Sequence, residues 1–188
     1  MKILHFIGTN STGGVATIVH YLAAYHSAQG HQVDLLSNCH DSSRLDSTGK
    51  FESLGCNVFT SATDRRYSPR QLRQLMKRMN DYDIVHVHQF PNQLWGALAS
   101  LLRRGRNKPK IITTEHTTFT NRRRHPALKY YDRWMYNLYD HVACISPATR
   151  DALIEWLGKD YLADRISVIT NGIDFDRFHD ASMSHPDG

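Results

Sequence analysis

Histidines and arginines standing where short apolar runs give way to polar residues are the side chains of this chain best placed to do chemistry. His116 closes the run Ile111-Ile-Thr-Thr-Glu-His116 and is followed by Thr117 and Thr118. A neutral imidazole there donates from one nitrogen and accepts at the other; the alternative is a histidine merely satisfied by its surroundings. His86 and His88, in Asp83-Ile-Val-His-Val-His88, share one face of a strand by period two. A metal site is imaginable on that pair, but no carboxylate or thiolate stands at ligand spacing, so no metal is expected. His88, nearer the tip, is the better candidate for ligand contact, and His86 the better candidate for packing. Arg122, Arg123 and Arg124, followed by His125, and Arg65 with Arg66 and Tyr67, offer planar cationic forks for carboxylate or phosphate. A solvated charge run is the competing reading. Tyr67, Phe119, Tyr130, Tyr131 and Trp134 lie near these arginines in sequence and raise the question of base stacking. No helix-turn-helix, RNP or zinc-finger pattern accompanies them, and Tyr131 falls on an apolar helical stripe, so nucleic acid is not an expected partner.

Gly8-Thr-Asn-Ser-Thr-Gly-Gly14-Val15 runs from a first strand into a helix, where free backbone N–H groups and the helix dipole favour phosphate. A nucleotide P-loop requires Lys and Ser/Thr where Gly14 and Val15 stand, which argues against ATP or GTP hydrolysis. The dinucleotide fingerprint is missing too, and Asp34 lies inside the second strand instead of at its end. What Gly13 and Gly14 permit is close approach of a ligand to bare backbone; a tight turn without a ligand is the alternative.

These residues need a frame that brings them together. Short apolar runs alternate with helical periodicity, predicting an α/β, Rossmann-like open and mainly parallel sheet with helices on both faces. Strands are expected near 2–8, 31–37, 56–60, 83–88, 110–115, 141–145 and 166–170. Val15, Ile18, Val19, Leu22, Ala23 and His26 form one helical stripe that Gly30 stops. Ser68-Pro69 and Ser146-Pro147 each set a capping hydroxyl before a proline at a first helical position. Leu72, Leu75, Met76 and Met79 line the first of these helices, and Ala152, Trp156 and Leu157 the second. Asn92 is expected to cap a helix through Leu94, Leu98, Leu101 and Leu102, and Leu128, Tyr131, Met135 and Leu138 mark another. In such a sheet the loops leaving the carboxyl ends of the strands converge on a crevice. That edge would hold Asn10, Gly13, Gly14, Arg65, His88, His116, Thr117 and Arg122 to Arg124. Arg103, Arg104, Arg106, Lys108 and Lys110 fall on the opposite edge.

The 188 residues, 40% of them apolar and 22% charged, suit one globular domain. No apolar run nears the roughly 20 residues of a membrane helix, so the default expectation is a cytoplasmic protein. Cys39, Cys56 and Cys144 are odd in number and lack a Cys-x-x-Cys pair, which suggests neither disulfides nor zinc. A net charge of +5 favours anionic partners without choosing among them.

One further phrase completes the pattern: the apolar strand Ile166-Ser-Val-Ile-Thr170 running into Asn171-Gly-Ile-Asp174. With Gly13-Gly14-Val15, Asp83–His88, Ile111–His116 and Cys144-Ile-Ser-Pro147 in this order, the chain resembles the amino-terminal, acceptor-side domain of a family 4 retaining glycosyltransferase of GT-B fold. The resemblance implies transfer of a sugar from a nucleotide diphosphate donor to a hydroxyl, in polysaccharide, lipopolysaccharide or glycolipid synthesis, without cofactor or metal. It implies His116 beside the transferred sugar as the catalytic candidate and Gly13 and Gly14 beside the donor diphosphate. It leaves Asn10, Arg65, His88, Thr117, Arg122, Arg123 and Arg124 for the acceptor, a sugar, polyol or lipid-linked molecule, with peripheral contact to an acidic membrane surface conceivable. Residues 1–171 would be the domain, with Asn171, Gly172 and Asp174 the hinge and 172–188 the start of a linker. The resembled family carries its leaving-group cations and two glutamates eight positions apart in a second domain. Glu52, Glu115 and Glu155 are the glutamates here and none are so spaced, so the chain alone is expected to be inactive. Two other classes stay open: a stand-alone module for anionic sugars or phosphate and, behind it, a nucleic-acid-binding α/β protein.

Overall fold

A computed structural model describes residues 1–8, 14–38, 48–61, 63, 65–103, 108–158 and 161–172. Seven parallel strands form one sheet: β1 (Lys2–Ile7), β2 (Gln32–Ser37), β3 (Val58–Thr60), β4 (Ile84–His88), β5 (Lys110–Glu115), β6 (His141–Cys144) and β7 (Ile166–Val168). Their order is β3-β2-β1-β4-β5-β6-β7. The helices between them are α1 (Gly14–Ala28), α2 (Thr48–Glu52), α3 (Arg70–Arg78), α4 (Asn92–Leu102), α5 (Leu128–Asn137) and α6 (Pro147–Leu157). Every strand expected from the sequence is present, within one or two residues.

The strand order reverses between β1 and β4, and a crevice opens at such a point because the loops after those two strands depart to opposite faces. Burial on both faces explains the apolar character of the strands. In β1, Leu4 and Phe6 enter the core under α3 to α6, while Ile3 and Ile7 enter the smaller core with Val19 and Ala23 of α1. His5 shares the second face and is fully buried.

Helix ends follow local chemistry. Ser146 Oγ accepts from the Thr149 N–H at 3.1 Å, with Pro147 at the first helical position, a cap contributing about 1 kcal/mol. Ser68 Oγ accepts from the Arg70 N–H at 3.3 Å, two residues before α3 begins, so that Pro69 immediately precedes the first helical position instead of occupying it. Asn92 departs from its expected role. It is the first residue of α4, and its Oδ1 accepts from Asn38 Nδ2 instead of capping the helix, tying α4 to the end of β2. The buried face of α4 is made of Trp95, Gly96, Ala97, Ala99 and Ser100, whereas Leu101 and Leu102 are exposed. Small residues stand there because the helix lies close to the sheet. A Cβ on Gly96 would sit 2.6 Å from Tyr139 Oη and 2.7 Å from Val87 Cγ2.

Candidate functional site

The loops after β1, β4 and β5 enclose a cleft of about 710 Å³. Its lining comes from Gly8 and Gly14 after β1, from Gln89, Phe90 and Pro91 after β4, from His116, Thr117, Thr120, Asn121 and Arg122 after β5, and from Arg66 and Tyr67. Gln89 adopts φ 59°, an uncommon value for a residue other than glycine and one that turns the chain sharply at the strand end. Gly14 opens α1, and a Cβ there would meet no described residue within 4 Å. Space at that position therefore faces the cleft and not a packed neighbour.

Burial lowers the His116 pKa to about 4, so the ring is neutral at physiological pH. Its Nε2 lies 3.2 Å from His88 Nδ1, and its own Nδ1 has no hydrogen-bond partner among the described residues. His88 does not reach the cleft itself. It is fully buried between His5, His86 and His116, which corrects its assignment to acceptor contact. Burial, then the neighbouring imidazoles, hold both His88 and His86 well below the ordinary histidine range.

The arginine run is folded inward. Arg122 lays its guanidinium over the Phe90 ring, 3.7 Å from the centroid, and its Nη1 lies 3.3 Å from Asp132 Oδ1. Arg123 donates to Thr118 O at 2.8 Å and to Glu115 Oε1 at 3.4 Å, both side chains being buried. Arg124 stacks on Phe119 at 5.3 Å. Arg123 is thus a structural cation, correcting its place among acceptor ligands, and Arg122 is the member of the run that lines the cleft. Arg65 lies in an adjoining shallow depression with Ser68 and Pro69, which shares Arg66 and Tyr67 with the cleft. Thr117 lines the cleft, but its hydroxyl closes a local turn, donating to Phe119 O and accepting from the Phe119 N–H. Asn10, Gly13 and Asp174 lie outside the described residues. Asn171 and Gly172 are exposed at a second groove, of about 420 Å³, between α1 and the open face of β4 to β7.

Sequence reading missed Glu115 as an anchor. It ends β5 on the face opposite His116 and accepts from Gln93 Nε2 at 3.1 Å, from Tyr136 Oη and from Arg123. The signal was the alternation itself, since neighbours on a strand face opposite sides. His5 was also missed. With His86 and His88 it places ring nitrogens within 4.8 Å of one another, a separation that by distance alone admits a metal ion. Both nitrogens of His88 are already engaged, with His5 and His116, and His86 Nε2 lies 2.7 Å from Thr114 Oγ1. An ion would have to displace those contacts without a carboxylate to offset its charge.

A cleft at the switch point, lined by the glycine that opens α1 and by a neutral histidine, lies at the edge where open parallel α/β sheets take their ligands. The chain belongs to Glycosyltransferase Family 4, whose profile matches residues 12–177. None of the curated proteins matches it in sequence. Among solved structures it is similar to Anabaena Alr3699/HepE in complex with UDP and glucose, at 18% identity over 94% of this chain and 46% of that one, TM-score 0.70. It is also similar to a glycosyltransferase from Rickettsia africae ESF-5, at 19% identity over 96% and 45%, TM-score 0.70. A third is the lipopolysaccharide outer core galactosyltransferase WaaB, at 14% over 93% and 46%, TM-score 0.64. The chain spans about half the length of each, and its fold is that of a GT-B half-domain. No helix among the described residues is long and apolar enough to cross a membrane.

Proposed function

We propose that this chain is the acceptor-side half of a retaining glycosyltransferase that moves a hexose from a nucleotide diphosphate sugar to a hydroxyl. The observation that carries the reading is that Gly14 and His116 line one and the same cleft at the switch point. Gly14 leaves room for a diphosphate at the amino end of α1, where oriented N–H groups favour anionic charge. His116 orients the transferred sugar by hydrogen bonding. Arg122, stacked on Phe90, together with Tyr67 gives the acceptor wall a cation and aromatic surface, suiting a sugar or polyol bearing a phosphate.

UDP-glucose is the first donor to try, since Anabaena Alr3699/HepE was solved with it. Transfer by the intact protein from a panel of uridine and guanosine diphosphate sugars, with product stereochemistry read by proton NMR, tests the proposal. Retention of configuration and a loss of turnover of about 100-fold in His116→Ala, with donor affinity changed far less, are expected. Inversion, or unchanged turnover in that variant, overturns it.

A further inference from the structure

A file of hydrogen-bonded imidazoles climbs the α1 face of the sheet toward the cleft. His5 Nδ1 lies 3.1 Å from His88 Nε2, and His88 Nδ1 lies 3.2 Å from His116 Nε2. Each step moves one strand across and two residues up, because His5 is level with His86 and His88 is level with Thr114. The two terminal nitrogens, His5 Nε2 and His116 Nδ1, are covered by protein and have no hydrogen-bond partner among the described residues.

We propose that His88 and His5 are positioning residues that hold His116 in one tautomer, its proton on Nδ1, so that a ligand in the cleft meets a hydrogen-bond donor and not a base. The proposal rests on the reading of His116 as the residue that contacts the transferred sugar. Proton counting carries it. Each neutral ring has one N–H, and each of the two contacts needs one. If His88 donates from Nδ1 to His116, its Nε2 is bare and must accept from His5 Nδ1. If it donates from Nε2 to His5, its Nδ1 must accept from His116 Nε2. The two bonds therefore run in the same sense, and the tautomer at one end of the file fixes the tautomer at the other.

The ends decide the sense. Both terminal nitrogens are covered, but one arrangement leaves the unpaired N–H on the wholly buried ring of His5, whereas the other leaves it on the partly exposed ring of His116, a residue that lines the cleft and can meet a ligand there. An orphaned buried N–H is costly and rare in proteins, more so than an unused lone pair. The arrangement with the proton at the cleft end is thus the more stable, and a ligand oxygen accepting from Nδ1 stabilises it further. Neutrality of the file follows from burial: His5 is lowered to about 3 by burial and then by His26, and His116 to about 4 by burial. A ring so held binds a sugar hydroxyl oxygen or a phosphate oxygen, and takes no proton from the acceptor.

Nitrogen-15 spectra of the intact protein, labelled in its histidine rings and with His116 assigned through its loss in His116→Asn, test this directly. A protonated Nδ1 and a bare Nε2 at neutral pH are expected; a protonated Nε2, or an equal mixture, overturns the proposal. His88→Leu should mix the two His116 forms and lower kcat about 10- to 100-fold, the effect of a misplaced group, while donor Kd changes little. His88→Asn keeps a donor near the Nδ1 position and should restore most of the rate. A folded His88→Leu protein with wild-type kcat overturns the positioning role. The spectrum of the unsubstituted protein decides the tautomer even where His88→Leu does not fold or where no sugar is transferred, so this inference and the transferase reading fail separately.

Discussion

The two edges of the sheet treat polar groups in opposite ways. On the amino-end edge the charges form closed circuits. Asp140 accepts from Arg103 at 2.6 Å, Lys110 at 3.2 Å and the Ile111 N–H at 2.9 Å. Arg165 donates to the carbonyls of Asn137 and Tyr139 where α5 ends, the position at which a helix dipole favours a cation. On the carboxyl-end edge, His116 Nδ1, Thr120 Oγ1, Asn38 Oδ1 and Asn92 Nδ2 are buried without a hydrogen-bond partner among the described residues. Folding alone gives no reason to bury such groups unpaired. The difference separates polar residues that hold the sheet together from those directed at a ligand, and it does so without reference to any relative.

The largest effect should come where that division breaks. Glu115 sits on the carboxyl-end edge, yet its contacts are all internal: Arg123, Gln93 and Tyr136. Glu115→Ala leaves a buried guanidinium without its carboxylate and should destabilise the fold by roughly 3 kcal/mol or more. Chemical denaturation of the variant checks this. A stability unchanged within about 0.5 kcal/mol, the range of an ordinary surface substitution, would mean that Arg123 finds another partner and that Glu115 belongs with the ligand-directed groups.

The fold was largely legible in the sequence because apolar runs of strand length and the Ser-Pro starts before α3 and α6 are local signals. Gly30 and Gly158, both with positive φ, mark helix ends just as clearly. The site was legible only in part. His116 was placed by its position after β5. His88 was misassigned because nearness to a strand tip does not reveal burial, which depends on the rings of His5 and His86 beside it. That β1 lies between β2 and β4 is a fact of topology, so His5 carried no local mark of its role. Arg122 and Arg123 were read as outward forks because their carboxylate partners, Asp132 and Glu115, come from elements that only tertiary structure brings near.

A smaller effect, on function alone, should follow at Gly14. With no described residue within 4 Å of a Cβ there, Gly14→Val is expected to fold with stability within about 1 kcal/mol of the parent, β-branching slightly disfavouring the helix. The added methyl groups would fill space facing the cleft. Affinity for a nucleotide diphosphate sugar, measured by calorimetry on the intact protein, should fall about 10-fold, the effect of an obstructed anion contact worth about 1.4 kcal/mol. Equal affinity would show that the ligand does not approach α1 and would weaken the contrast at its most exposed point.

The smallest effect belongs to the amino-end edge and depends on pH. Burial works against the charge on Asp140, but the hydrogen bonds from Arg103, the Ile111 N–H and Lys110 outweigh it and hold the carboxyl below its ordinary range. A carboxyl whose folded pKa is depressed contributes stability that is fully present above its unfolded value of about 3.9 and is lost as pH falls through the folded value. Asp140 is only partly buried, so solvent screening limits the contribution to about 1 kcal/mol. Asp140→Asn should therefore lower stability near neutral pH by about that amount while leaving sugar transfer unchanged. The gap between variant and parent should close as pH drops below about 4. A gap that persists in acid would assign the loss to packing of the side chain, because a purely steric defect does not titrate. A variant that loses transfer activity at neutral pH while keeping its fold would show that the amino-end edge acts on the cleft, and the separation of the two edges into structural and ligand-directed chemistry would fail.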